Sequence, residues 1–234
     1  DAMLSHRSVR HFVRDALPAH TLETLVAAAQ SAPTSSNLQT WSVIAVESQE
    51  RREQLANLVG PQKHLAVAPL VLVFLADLSR IERLAALQER SAVGLHYLDT
   101  FLMGVIDAAL AAQNAVVAAE AMGLGTVYVG GMRNQPEAVA KVLGTPKNVF
   151  PVFGLVVGHP DPAKPAAVKP RLPQSAVLHR EQYQVPTDQA QEIGGYNDAL
   201  RQFMRTHGMR EMDWSAQVVE RLGSPEALTG RHRL

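Results

Sequence analysis

The chain has 234 residues, 47% of them hydrophobic, enough to bury a core in one domain or two small ones. Lys plus Arg number 22 and Asp plus Glu number 22, so there is no net charge and no support for the basic face that nucleic-acid binding requires. The absence of cysteine excludes disulfides, thiol catalysis and thiolate-bound metal, and with no signal-like apolar run at the start the expected setting is the cytoplasm, with no membrane partner.

Ser5 to Arg14 reads SHRSVRHFVR, with His6, Arg7, Arg10, His11 and Arg14 basic and no acid within the stretch, which Asp15 follows. A guanidinium fork suits a phosphate, and a neighbouring Ser hydroxyl adds a donor. His6, Arg7, Ser8 and Arg10 therefore form a candidate phosphate grip, with a solvated basic patch as the plainer meaning. The spacing of His6 and His11 suits neither one helix face nor one strand face, so no metal site is expected. Pro18 then opens a helix over Thr21 to Ser31, with Leu22, Leu25, Val26 and Ala29 on one face, and Ala32-Pro33 ends it. Thr34-Ser35-Ser36-Asn37 is a polar loop before the strand Trp41 to Glu47. It reads as a turn or as a rim for a polar heterocycle.

Glu50 to Val59 is a polar helix broken by Gly60-Pro61, with Gln62-Lys63-His64 just beyond. Leu70 to Ala76 (LVLVFLA) is a continuous apolar strand, expected at the centre of a sheet. Leu78 to His96 is charged and carries a short amphipathic helix around Ile81 to Gln88, a lid or an exposed connection. From Leu102 to Met122 the chain is apolar on almost every side and rich in alanine, which favours a buried helix. Its length suits a membrane span. Asp107, Gln113, Asn114 and Glu120 lie within it, and an ionised group is costly in hydrocarbon, so the stretch reads as a central core helix that could also meet a second subunit.

Gly123 and Gly125 are expected to stop that helix. Thr126 to Val129 (TVYV) reads as a short buried strand, and Gly130-Gly131 at its end makes a tight turn or gives a flat ligand access to bare backbone N–H groups. A helix over Glu137 to Leu143 and a strand over Val152 to Gly158 follow. His159 to Pro173 carries five prolines and reads as an extended arm, on which Lys169 and Arg171 share one side. Ala190 to His207 is helical, and Arg201, Arg205 and Arg210 make the tail basic. There is no G-x-S-x-G elbow or zinc-protease helix, and the glycines follow a helix rather than link a strand to one, so no Rossmann site is expected.

Taken in order, HRSVRHF, SAPTSSNLQTWSV, GPQKH, AAQNAVVAAEAMGLGTVYVGGMRN and KPRLP resemble the nitroreductase family, in particular its oxygen-insensitive, NADPH-preferring nitroreductase and flavin-reductase branch. The resemblance implies an α+β fold, a central mainly antiparallel sheet flanked by helices. It implies a single domain over 1–234, with an extended arm at 159–173 and a basic tail at 190–234, in an intertwined homodimer. It implies FMN held non-covalently at the subunit interface, NADPH as electron donor, and ping-pong two-electron reduction of nitroaromatics, quinones or free flavin. By that resemblance His6, Arg7, Ser8 and Arg10 hold FMN, and Lys169 and Arg171 complete the phosphate grip. Thr34, Ser35 and Ser36 bound the site, Gln62 and His64 lie near the flavin or its ribityl chain, and Tyr128, Val129, Gly130 and Gly131 pass along the ring. Asn37 stands beside the open flavin face, and Arg133, Arg205 and Arg210 are the candidates for NADPH. No protein nucleophile is implied; the flavin carries the chemistry. A non-catalytic FMN-binding sensor and a dehalogenase-type member of the same superfamily stay open at this level.

Overall fold

The computed structural model describes residues 3–234. It falls into two compact units, one ending at Ala167 and one spanning Val168–Leu234.

The first unit is built on β2 (Leu70–Asp77), whose every residue is buried. It is flanked by β1 (Trp41–Val46) on one side and β4 (Val149–Gly158) on the other, and β3 (Gly125–Val129) pairs with the far edge of β4. The sheet is therefore ordered β1-β2-β4-β3, and all of its pairings are antiparallel. A strand apolar at successive positions must be covered on both faces. Leu70, Leu72, Phe74 and Ala76 point to a layer made by α1 (Thr21–Gln30) and α5 (Leu98–Ala121). Val71, Val73 and Leu75 point to the opposite layer, formed by α2 (Gln49–Val59), α3 (His64–Val67) and α6 (Pro136–Leu143). Full burial of each such side chain contributes about 1.5–3 kcal/mol, so the central strand is the main anchor of the unit. One aromatic from each strand, Trp41, Phe74, Phe153 and Tyr128, forms a ladder across the α5 face, with ring centroids 5.2–6.0 Å apart.

The central helix differs from its sequence reading in two ways. It begins at Leu98, because Asp99 and Thr100 supply a favourable first turn ahead of the apolar run. It is also buried on one side only. Gly104, Ala108, Ala111, Ala112, Ala115 and Ala119 lie against the sheet, and a Cβ on Gly104 would stand 2.9 Å from that of Ala76. Leu98, Leu102, Ile106 and Leu110 form an exposed stripe at four-residue spacing. Gly123 ends the helix in the left-handed region with φ of 76°. Gly125 is not part of that stop. It belongs to β3, where a side chain would collide with Val9 at 2.8 Å.

Shorter elements follow from local chemistry. Pro136 opens α6, where its missing N–H costs nothing, and Gly144 closes it with φ of 67°. Three residues of β4 beyond those expected, Val149, Phe150 and Pro151, pair opposite Asp77, Ala76 and Leu75, past a β-bulge between Phe74 and Leu75. α4 (Ser79–Leu87) starts on the donors gathered by Asp77. The single-turn α3 is a surprise to the sequence reading; it is too short to leave a periodic signal.

The second unit carries α7 (Gln189–Thr206) and α8 (Trp214–Leu222). Tyr196 meets Trp214 edge-on at 5.6 Å, and the Asn197 side chain exchanges hydrogen bonds with Ser215 at 2.9 and 3.2 Å.

Candidate functional site

The polar residues of the apolar helix organise the site. Four side chains on α5 break its apolar character, and each is tied to a different segment. Asp107 is fully buried and accepts hydrogen bonds from the Ser35 N–H at 3.1 Å, the Thr40 N–H at 3.0 Å and the Thr40 hydroxyl at 2.8 Å. Gln113 accepts from the Tyr128 hydroxyl at 3.3 Å. Asn114 donates to Ser31 at the end of α1 at 3.1 Å. Glu120 contacts His6 Nδ1 at 2.6 Å and accepts from the Thr126 hydroxyl at 3.0 Å. In sequence these four residues argue only against a membrane span; their anchoring role is visible only in the fold.

The N-terminal basic motif lies along β3. Ser8 bridges Thr126 in parallel register, the Val9 N–H donates to the Thr126 carbonyl at 2.9 Å, and Val9 and Phe12 are buried in the core. Alternation then turns Arg10 outward, and both Arg7 and Arg10 are exposed without a hydrogen-bond or ion-pair partner among the described residues. His64, at the start of α3, is buried, and its Nε2 has no hydrogen-bond partner. Burial, and then the charges of Arg10 and His11, push its pKa down to about 4, so the ring is neutral at neutral pH. A buried polar atom without a partner calls for an occupant.

The glycine turn completes this cluster. Gly130–Arg133 is a single 3-10 turn, and the residues after it cap α2: Asn134 donates to the Val59 carbonyl at 3.1 Å and Gln135 to the Leu58 carbonyl at 3.2 Å. These are carbonyls that a helix end leaves unsatisfied. The caps press Gly131 onto α2, so a Cβ there would stand 2.5 Å from the Val59 oxygen and 3.3 Å from Gln62 Nε2. Gly131 is thus required by packing, and Gln62 is held beside the turn. Val129 is buried, whereas Tyr128 is partly exposed, with its ring edge-on to Phe153 at 5.2 Å. Burial, reinforced by the Glu120 charge, raises the Tyr128 pKa, so the phenol stays protonated. Arg133 points back into the protein: its guanidinium donates to the Val152 carbonyl, and its half-buried position lowers its pKa.

The Thr34–Asn37 loop is placed elsewhere. Ser36, Asn37 and Gln39 adopt positive φ of 47°, 57° and 53°, a conformation costing about 1 kcal/mol or more for a side-chain-bearing residue. The three hydrogen bonds to Asp107 hold it. Thr34 and Asn37 line a cavity of about 820 Å³ with Gln39, Trp41, Arg80 and Leu84. Asp107 and Glu120 are thirteen residues apart on one helix, which separates the loop's anchor from the His6 anchor by about 20 Å. Within one chain, then, Arg10 lies near His64, Gln62 lies beside the glycine turn and His6 is tied to Glu120, whereas the anchor of the serine loop stands about 20 Å along α5 from that of His6.

In the second unit, Arg171 folds back to donate to the carbonyls of Lys169 at 3.1 Å and Pro170 at 3.3 Å. The tail is less available to anions than its composition implies. Arg201 is paired with Asp213 and Asp198, and Arg205 forms a fork on Glu211 at 2.9 and 3.0 Å. Arg210 is exposed and has no such partner among the described residues.

Comparison with known proteins decides the kinship. Residues 3–159 match the model of the nitroreductase family, and residues 169–234 match that of the nitroreductase family C-terminal domain. The chain belongs to the nitroreductase family. This nitroreductase-family chain is 42% identical over 223 residues to the FMN reductase (NADPH) of Bacillus subtilis, covering 94% of this chain and 89% of that protein. It is 40% identical to the oxygen-insensitive NADPH nitroreductase of Salmonella typhimurium, over 93% of this chain and 88% of the other. Among solved structures, the NADPH:FMN oxidoreductase of Vibrio harveyi, complexed with NAD+, superposes with a TM-score of 0.83 at 34% identity, covering 99% of this chain and 95% of that one.

Proposed function

We propose that this chain is an FMN-dependent NADPH oxidoreductase that reduces nitroaromatics, quinones or free flavin by a ping-pong, two-electron cycle. The observation that carries the reading lies in the first unit: the guanidinium groups of Arg7 and Arg10, unpaired among the described residues, and the neutral His64, whose Nε2 has no partner there and which lies near Arg10. The donor set fits FMN. Two cations suit its phosphate, and a neutral ring nitrogen with the Gln62 amide suits its polar edge. The names of relatives, FMN reductase (NADPH) and oxygen-insensitive NADPH nitroreductase, support the same chemistry.

When bound, FMN supplies the redox step, taking a hydride from NADPH and delivering two electrons to the acceptor. The protein's part is to bind, orient and tune. Arg10 and Gln62 are assigned to one edge of the site, where positioned donors would stabilise developing negative charge. His64 stays uncharged and donates or accepts without adding charge. Lys169 and Arg171 are assigned to the phosphate on the KPRLP motif alone. For the 2′-phosphate of NADPH, Arg210 is the first choice, because Arg205 is occupied by Glu211 and Arg133 by Val152.

We also propose a homodimer. The exposed stripe Leu98, Leu102, Ile106 and Leu110 gives a second copy an apolar face to cover. The separation of about 20 Å between the serine-loop and His6 anchors along α5 is accounted for if Thr34, Ser35, Ser36 and Asn37 of a second copy complete each site. We also propose a cytoplasmic setting, a reading that the cysteine-free composition supports.

The test is an anaerobic absorbance spectrum before and after NADPH. Flavin bands that bleach, and return on adding a quinone or nitrofuran, are expected. Bound flavin that does not bleach would favour the sensor reading, and a protein that takes up no FMN would refute the assignment.

A further inference from the structure

Within the HRSVR motif, His6 differs from the arginines around it: its ring is already engaged. Its Nδ1 lies 2.6 Å from Glu120 Oε1, with the His6 side chain 26% and the Glu120 side chain 17% exposed. Glu120 is itself braced. The same oxygen accepts the hydroxyl proton of Thr126, a residue of β3 with no exposed surface, at 3.0 Å. Thr126 is in turn the residue that Ser8 and Val9 join through the backbone. The carboxylate therefore sits in a frame fixed by α5 and β3, and the first residue of the basic motif is locked onto it.

A carboxylate oxygen offers only lone pairs, so the shared proton resides on Nδ1. The alternative tautomer would face a ring lone pair against a carboxylate at 2.6 Å. Once Nδ1 is committed, Nε2 is the nitrogen left for a ligand, and the ring plane is set by the Glu120–Thr126 frame. A buried or half-buried His held this way keeps one tautomer and one orientation. Apart from Thr126, the Glu120 side chain has no hydrogen-bond partner other than His6 among the described residues.

We propose that Glu120 is a positioning residue for the cofactor: braced by Thr126, it fixes the tautomer and orientation of His6 so that Nε2 is presented to FMN. This rests on the reading that the HRSVR motif holds FMN. The effect is on binding and geometry, and no proton or electron is transferred.

The experiment uses the full chain stripped of flavin and titrates FMN by fluorescence quenching in wild type, Glu120→Ala, His6→Ala and the double variant. Removing one hydrogen bond to a positioned ring is expected to weaken FMN by about tenfold in Glu120→Ala. In the His6→Ala background the Glu120 change should add nothing further. An equal loss from Glu120→Ala with and without His6 would overturn the proposal, because Glu120 would then support only the fold. His6→Ala binding FMN as wild type does would instead sink the cofactor assignment of His6, and the inference with it. Glu120→Gln serves if the alanine variant does not fold. Its amide oxygen still accepts from Nδ1–H, so ¹⁵N spectra of histidine-labelled protein should show His6 protonated at Nδ1 in wild type and Glu120→Gln. Glu120→Ala should lose that signature, and a wild type with Nε2 as the sole protonated nitrogen would overturn the proposal.

Discussion

The two basic regions of this molecule look alike as sequence and differ as structure. In the N-terminal motif, Val9 and Phe12 are buried and Arg7 and Arg10 are left without partners among the described residues. In the tail, Arg201 and Arg205 are spent on Asp198, Asp213 and Glu211, carboxylates close by in the same unit. Counting positive residues thus says little about an anion site. What matters is whether the local chain neutralises its own cations. Anchoring differs in the same way: buried Asp107 and half-buried Glu120 tie the first unit's site segments to a core helix, whereas the tail's ion pairs lie at the surface, where solvent weakens them.

The largest effect that would break this comparison concerns the unpaired cations. Arg7→Ala with Arg10→Ala should weaken FMN by about a hundredfold or more, since each charge-assisted hydrogen bond contributes about 1.5–3 kcal/mol. Fluorescence titration of the stripped protein measures this, and a double variant that purifies fully yellow would remove the motif from the phosphate site.

Anchoring is tested next. Asp107→Ala strands two Thr40 donors in the core and frees the Ser35 N–H at its edge, and should lower stability by about 3 kcal/mol in urea denaturation, with the Thr34–Asn37 loop loosened. Asp107→Asn, which keeps one acceptor oxygen, should fall between. The tail counterpart, Glu211→Gln, should leave the urea midpoint unchanged. Equal effects in the two regions would erase the distinction drawn between them.

His64 sharpens the comparison through pH. Its folded pKa is about 4 against an ordinary value of 6.5, because burial and then Arg10 and His11 oppose its charge. The unfolded chain therefore binds the proton more readily. The stability of the neutral, buried ring is intact above pH 6.5 and is lost as pH falls from there toward about 4. His64→Asn should show a flatter decline of urea midpoint across that window, and parallel profiles for the two proteins would contradict the assigned cause.

The smallest effect is in the tail. Arg210→Ala should raise KM for NADPH severalfold while leaving NADH unchanged, by losing a charge contact to the 2′-phosphate. Arg205→Ala should do less, because Glu211 already holds that guanidinium. Steady-state kinetics with both donors decides it, and equal changes for the two cofactors would move the role elsewhere.

Much of this fold is legible in the residues because it depends on local pattern. A seven-residue apolar run, Leu70 to Ala76, must be covered on both faces, an alanine-rich run makes a helix, and Pro136 opens another. The motifs HRSVR, QKH and YVGG mark the candidate site less directly, through their resemblance to the nitroreductase family. What only tertiary structure decided is how those donors are engaged. No spacing reveals that Glu120 meets His6 across 114 positions, that Asp107 holds a loop 72 positions away, or that Gly131 is small because of Val59. Nor does any spacing reveal that the serine loop and His6 are anchored about 20 Å apart on one helix. A hydrogen bond is decided by distance and direction in space, and sequence fixes those only across the few residues of one helical turn or one strand.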